Sequence, residues 1–287
     1  MLKLLAMLIM TIDHVGAYFS QWIPYSTYEL LRTIGRLAFP CFVYYLVLGY
    51  RRTRNIVKYF LRLLAFAGIS QLAMNAMSSY TGRTTYTNVF FTLSISLALI
   101  TGFDLFIRSS RDLMLNLRLA ESTAMGDEGV KNDLYTVRFS PGGISMPAGL
   151  GMISGVALFL IAIFMTEQLD PDYDFYGLTL ALAYHIALDF VEPMTKTLRV
   201  ELKIKHILVF VTLTYLVTQL AFYLGARRLA FFTPMSDIQI YASLAPILFI
   251  FEPYGKRPPA WQRWAFYIYY PAHITLFMYL RYFFTLR

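Results

Sequence analysis

The sequence predicts an all-α fold, a polytopic integral membrane bundle of about nine transmembrane helices with the N-terminus cytoplasmic, on three observations. Hydrophobic residues make up 57% of the 287, aromatics 17% and charged residues only 15%, which is too apolar for a soluble domain of this length. The apolar residues gather into runs of roughly 20, the length that crosses a bilayer core. The basic residues lie in the short loops between those runs, where they set orientation. The net charge of +8 therefore reads as topology, and no nucleic acid is expected as a partner. One cysteine, Cys41, excludes an internal disulfide.

The expected spans are 2–21, 29–50, 56–77, 87–107, 148–166, 174–192, 206–225, 236–252 and 264–284. The first opens with Lys3 and an apolar run, as a signal peptide would, but Asp13 and His14 interrupt it just before Val15-Gly16-Ala17, which loosely resembles a cleavage site, so a mature helix is expected. The eighth is short and carries Pro246. Counting loops alternately, one face receives Lys3, the 51–62 cluster, and most of the remaining lysines and arginines; the other receives Arg32, Arg36, Arg83, Arg227, Arg228, Arg281 and Arg287. The richer face is cytoplasmic by the positive-inside rule, and the acidic, lysine-free loop 167–174 falls outside. The longest connection, a cytoplasmic loop at about 108–147, contains LMLNLRLAESTAMGDEGVKND, which reads as a short amphipathic helix followed by a Gly-Asp turn. No repeat or linker divides the chain, so 1–287 is expected to be a single membrane domain in contact with lipid.

Ionisable groups in mid-span cost roughly 2.5–3.5 kcal/mol each on insertion scales, so they mark candidate sites. Asp13 and His14 are the first. Ten residues separate Lys3 from His14, which puts the imidazole roughly 16 Å along the helix from the lysine, near mid-depth. His14 is the natural general base, and Asp13 either orients it or meets an arginine from another helix. Arg36 in the second span, beside Gly35, is the candidate partner of Asp13, and a purely structural ion pair is the alternative. Arg51, Arg52 and Arg54, with Lys58 and Arg62 in the next span, are denser than topology requires and suit phosphate groups through bidentate bonding. His185 and Asp189, four apart, share one helix face, and His273 follows a proline in the last span. Each is either a proton-relay group or an interhelical contact. There is no Walker loop, serine elbow or cysteine pair for a metal, and Pro141-Gly142-Gly143 is too short a turn to cradle phosphate.

Several separated segments carry a family resemblance: LKLLAMLIMTIDHVGAYF at 2–19, LRTIGRLAFPCFVYYLVLGYRRTRNIVKYFLRLLAFAGISQ at 31–71, TNVFFTLSIS at 87–96 and YGKRPPAWQRWAFYIYYPAHITLFMYL at 254–280. In this order they resemble the TraX family of F-pilin acetylases. The opening is also similar to acyltransferase-3 type membrane enzymes, whose basic residue, ten-residue gap and histidine are matched by Lys3 and His14. Their RxxR is matched by Arg51 and Arg54. The resemblance implies an acetyltransferase of the bacterial inner membrane that takes acetyl-CoA from the cytoplasm as co-substrate. The acceptor is expected to be an amine or hydroxyl of a protein or glycan, and the TraX resemblance implies the N-terminal amine of a pilin. Lys3, Arg51, Arg52, Arg54, Lys58 and Arg62 would hold the coenzyme, His14 would act with Asp13 and Arg36, and His185, Asp189 and His273 are further candidates. The residues alone leave open a small proton-coupled transporter or channel, or a scaffold of a pilus or secretion machine.

Overall fold

A computed structural model describes residues 1–81, 87–124, 136–139, 144–195, 200–228, 232–252 and 260–285. Its helices are α1 (Leu2–Tyr18), α2 (Tyr25–Gly35), α3 (Ala38–Arg52), α4 (Ile56–Thr81), α5 (Val89–Ala124), α6 (Ala148–Leu169), α7 (Asp174–Thr195), α8 (Val200–Ala226) and α9 (Ala260–Thr285). A 3-10 helix, Asp237–Phe251, lies between α8 and α9. Among the described residues, five helical stretches are long and apolar enough to cross a membrane: Tyr25–Arg52, Ile56–Ala76, Val89–Leu117, Ala148–Leu169 and Lys203–Ala226. The protein is a multi-pass membrane helical bundle.

The bundle is built around α3. From Ala38 to Leu48 every side chain but Tyr45 is buried, as expected for a helix that is apolar all round. It packs against α1, α5, α7 and the 3-10 helix. The apolar window of α5 is 72% buried, whereas those of α4 and α6 are 22% buried, so the latter two turn most of their surface to lipid. α5 and α6 meet at a glycine crossing. A Cβ on Gly102 would lie 2.8 Å from the Gly155 carbonyl oxygen, and one on Gly155 would lie 2.7 Å from the Phe106 nitrogen, so the two backbones touch directly.

Three elements depart from the sequence expectation. The span 29–50 is broken. α2 stops at Gly35, the backbone turns through Arg36 and Leu37 with i to i−3 bonds, and α3 then begins. Pro40 is the cause, because it lacks the N–H that would have bonded the Arg36 carbonyl. The eighth span forms a 3-10 helix of 15 residues. Its buried side chains recur every three positions, Gln239, Ala242 and Ala245 on one ridge and Ser243, Pro246 and Phe249 on the next.

The loop expected at about 108–147 is shorter than that. α5 continues unbroken to Ala124, so the amphipathic helix is an extension of the preceding span and not a separate element. Two strands, β1 (Thr136–Phe139) and β2 (Ile144–Pro147), then pair antiparallel with Thr136 opposite Pro147, ahead of α6. Arg83, Arg287, the Gly-Asp turn at 126–127 and Pro141-Gly142-Gly143 lie outside the described residues.

Candidate active site

Neighbouring positions on a helix diverge by about 100°, and α1 uses this to send Asp13 and His14 to different partners. Asp13 faces α2. Arg32 Nη1 donates to Asp13 Oδ2 at 2.6 Å and Arg36 Nη2 to Asp13 Oδ1 at 3.1 Å, so each carboxylate oxygen holds one guanidinium. Arg36 also donates to Gln239 Oε1 at 3.2 Å, which ties the break between α2 and α3 to the 3-10 helix. The approach depends on Gly35, since a Cβ there would overlap the Asp13 carboxylate itself. Arg32, which in the sequence reads only as an outer-face charge, lies four residues before Arg36 and so on the same helix face.

His14 faces α9. Its Nδ1 lies 2.7 Å from His273 Nε2, and His273 Nδ1 lies 2.8 Å from the Tyr269 carbonyl oxygen. A carbonyl can only accept, so His273 Nδ1 carries the proton and, in the neutral ring, Nε2 accepts. His14 Nδ1 must then be the donor. Its remaining nitrogen, Nε2, is left with a lone pair and no hydrogen-bond partner among the described residues. Nothing local in the sequence joins positions 14 and 273, so this pairing was not legible there.

His14, Asp13, Arg32 and Arg36 line one cavity of about 520 Å³, together with Asp172, Tyr173, Tyr270 and Arg281. Asp172 and Tyr173 come from the loop after α6. That loop is pinned by Thr87, whose carbonyl accepts from the Asp172 N–H at 3.1 Å and whose hydroxyl donates to the Leu169 and Asp170 carbonyls at 2.5 and 2.9 Å. Tyr173 stacks on Phe39 with ring centroids 3.6 Å apart. Asp172 is exposed at the cavity mouth, and partial loss of water there raises its carboxyl above the ordinary range; Arg36 and Arg32 oppose the rise and the charge of Asp13 adds to it.

A second cavity, of about 370 Å³, is basic. Lys3, Arg52 and Arg62 line it with Tyr45, Tyr59, Phe266 and Tyr267. Arg62 is held against aromatic faces, 5.4 Å from Tyr267 and 5.6 Å from Trp264, and the Lys3 ammonium lies 5.7 Å from the ring centre of Phe266. The Tyr45 hydroxyl donates to the Glu252 carboxylate. Of the six expected coenzyme residues, this cavity gathers Lys3, Arg52 and Arg62. Arg54 and Lys58 are exposed and do not line it. Phe42 lines both cavities, and its ring stacks on Phe266 at 4.4 Å.

Arg51 belongs to a third group. Its Nη2 reaches Asp189 Oδ1 at 2.5 Å and the His185 carbonyl at 3.0 Å. His185 and Asp189, expected as neighbours on one face, therefore have different partners. His185 Nε2 stands 3.9 Å from Asp104 Oδ1, while Asp104 Oδ2 accepts from Tyr50 at 2.8 Å and Arg108 at 3.0 Å. Neither His185 nor Asp189 lines the histidine cavity or the basic cavity. The group ties α3, α5 and α7 together.

Comparison with known proteins gives two matches. Residues 1–117 match the family model described as TraX protein. Along nearly its whole length the chain is similar to a probable fimbrial assembly protein FimC, serogroup H1, from Dichelobacter nodosus, at 27% identity over 286 residues, covering 96% of this chain and 92% of the relative. No solved structure matches. The segment that is similar to the TraX model holds Lys3, Asp13, His14, Arg32, Arg36, Phe42, Arg52 and Arg62.

Proposed function

We propose that the protein is an integral membrane acetyltransferase of the bacterial inner membrane, one domain of nine crossings with its N-terminus inside. It would move an acetyl group from cytoplasmic acetyl-CoA to an amine or hydroxyl acceptor. A pilin N-terminus is the acceptor that the family resemblance favours. The observation that carries this reading is the meeting of two cavities at Phe42: a basic one at the level of Lys3 and, about 16 Å along α1, one bearing a histidine nitrogen without a hydrogen-bond partner among the described residues. Asp237–Phe251 is not one of the five long spans, but at about 2.0 Å of rise per residue its 15 residues reach roughly 30 Å, which supports counting it as a crossing in this reading.

In this reading Lys3, Arg52 and Arg62 take the phosphates and arm of the coenzyme, with Arg51, Arg54 and Lys58 adding positive potential at the cytoplasmic mouth. The arm passes Phe42. His14 Nε2 takes the proton of the attacking group and returns it to the departing thiolate, or carries the acetyl group in transit. Asp13 holds Arg32 and Arg36 in the cavity wall, where their charge favours the oxyanion of the tetrahedral intermediate.

The name of the relative, a fimbrial assembly protein, supports a pilin or fimbrial subunit as partner. It is equally compatible with a scaffold that has no chemistry. Purified protein separates the two: CoA should raise its thermal stability in detergent by mass action. It should also release CoA from acetyl-CoA when a peptide amine is present. No stabilisation and no release would support the scaffold.

A further inference from the structure

Two carboxylates line the histidine cavity, and they are in opposite states. Each oxygen of Asp13 already accepts from a guanidinium, Arg32 on one and Arg36 on the other, so its charge is compensated. Asp172 is fixed through its backbone, yet its side-chain oxygens make no hydrogen bond or ion pair among the described residues. It opens both to the 520 Å³ cavity and to an adjoining recess of about 180 Å³ that shares Arg36 and Tyr173. The charged and titratable groups that share its cavity are Arg36, Arg32, Asp13 and His14, Tyr173 on its own loop, and Tyr270 and Arg281 of α9. The cavity therefore presents two open proton acceptors, Asp172 and His14 Nε2.

An alcohol needs one base to react with a thioester, whereas an amine that arrives as ammonium needs two. We infer that Asp172 is the residue that binds the cationic amine of the acceptor and removes its first proton; this rests on the acetyltransferase reading. The ammonium pairs with the carboxylate and gives it a proton, leaving a neutral amine and a carboxylic acid. The nitrogen lone pair attacks the thioester carbonyl carbon, a C–N bond forms and the C–S bond breaks. His14 Nε2 takes the second proton from nitrogen and delivers it to the thiolate, yielding an amide and free CoA. The proton on Asp172 leaves to water at the cavity mouth. The raised carboxyl suits that first transfer, because a carboxylate of ordinary acidity would hold the proton less well.

The test uses the full-length protein in detergent, acetyl-labelled acetyl-CoA and two synthetic probes: an apolar hexapeptide with a free α-amine, and the same peptide with that amine replaced by a hydroxyl. In Asp172→Asn the ratio of amine to hydroxyl transfer at pH 7 should fall about tenfold. The deficit should close by pH 9, where an α-amine of pKa about 7.7–8.0 is already mostly neutral. Retained stabilisation by CoA shows that the variant is folded. An equal loss with both probes, a deficit that persists at pH 9, or no change overturns the assignment. Wild-type protein that transfers to neither probe contradicts the acetyltransferase reading itself. Thermal stabilisation by the amine peptide, lost in Asp172→Asn, then still decides whether Asp172 is a cation site.

Discussion

His14 Nδ1 and His273 Nε2 lie 2.7 Å apart, although 259 positions separate them in the chain. The bond joins the first helix to the last and, with the Tyr269 carbonyl behind it, fixes which nitrogen of His14 can act as a base.

His273→Leu should therefore lower turnover by about 10²-fold or more, the scale of a lost or misdirected general base, while CoA affinity stays near wild type. His273→Gln places an amide oxygen close to the position of Nε2 and should recover a large part of the rate. The measurement is kcat and KM for both variants. A loss in His273→Leu that His273→Gln does not relieve would show that packing, and not the tautomer, is what His273 supplies.

Gly35→Ala should behave like Asp13→Ala, since the added methyl overlaps the carboxylate and breaks the same pair. Removing one partner of a buried ion pair costs about 3 kcal/mol, and here two guanidinium groups would be left uncompensated. Thermal unfolding in detergent reads this directly. Wild-type stability in Gly35→Ala contradicts the geometry.

Coenzyme affinity should separate the arginines that the sequence grouped together. Arg52→Ala and Arg62→Ala should each weaken CoA binding about tenfold, or about 1.4 kcal/mol, as expected for one charge-assisted hydrogen bond. Arg51→Ala should lower stability more than affinity, because Arg51 already holds Asp189 and the end of α7. Titration calorimetry with CoA on the three variants checks the order.

Phe42→Ala removes a side chain common to both cavities and should raise acceptor-independent hydrolysis of acetyl-CoA several-fold, since water in the histidine cavity then reaches the thioester. Phe42→Trp should slow transfer. Unchanged hydrolysis in Phe42→Ala means that the two cavities do not communicate there.

Much of this architecture can be read from the chain because lipid leaves few options. The apolar runs gave the helices, and the cost of ionisable groups within them singled out Asp13, His14 and Arg36. What stayed hidden depends on geometry that composition does not encode. Pro40 breaks a run that looks continuous, and the break is what turns Arg32 inward. The span expected at 236–252 is short and carries Pro246, and nothing in its composition signals a 3-10 rise. β1 and β2 have four residues each, too few for alternation to register. Asp172 looked like one acid among several in an outer loop, and only the fold brings it to the histidine cavity.

The most direct test of the central claim compares wild-type protein with His14→Ala, both purified in detergent and checked for stabilisation by CoA, in transfer of labelled acetyl from acetyl-CoA to an α-amino peptide. The account predicts transfer by wild type and a loss of 10²-fold or more in His14→Ala with CoA binding retained. Transfer at the wild-type rate by His14→Ala, or none by wild-type protein that binds CoA, would contradict it.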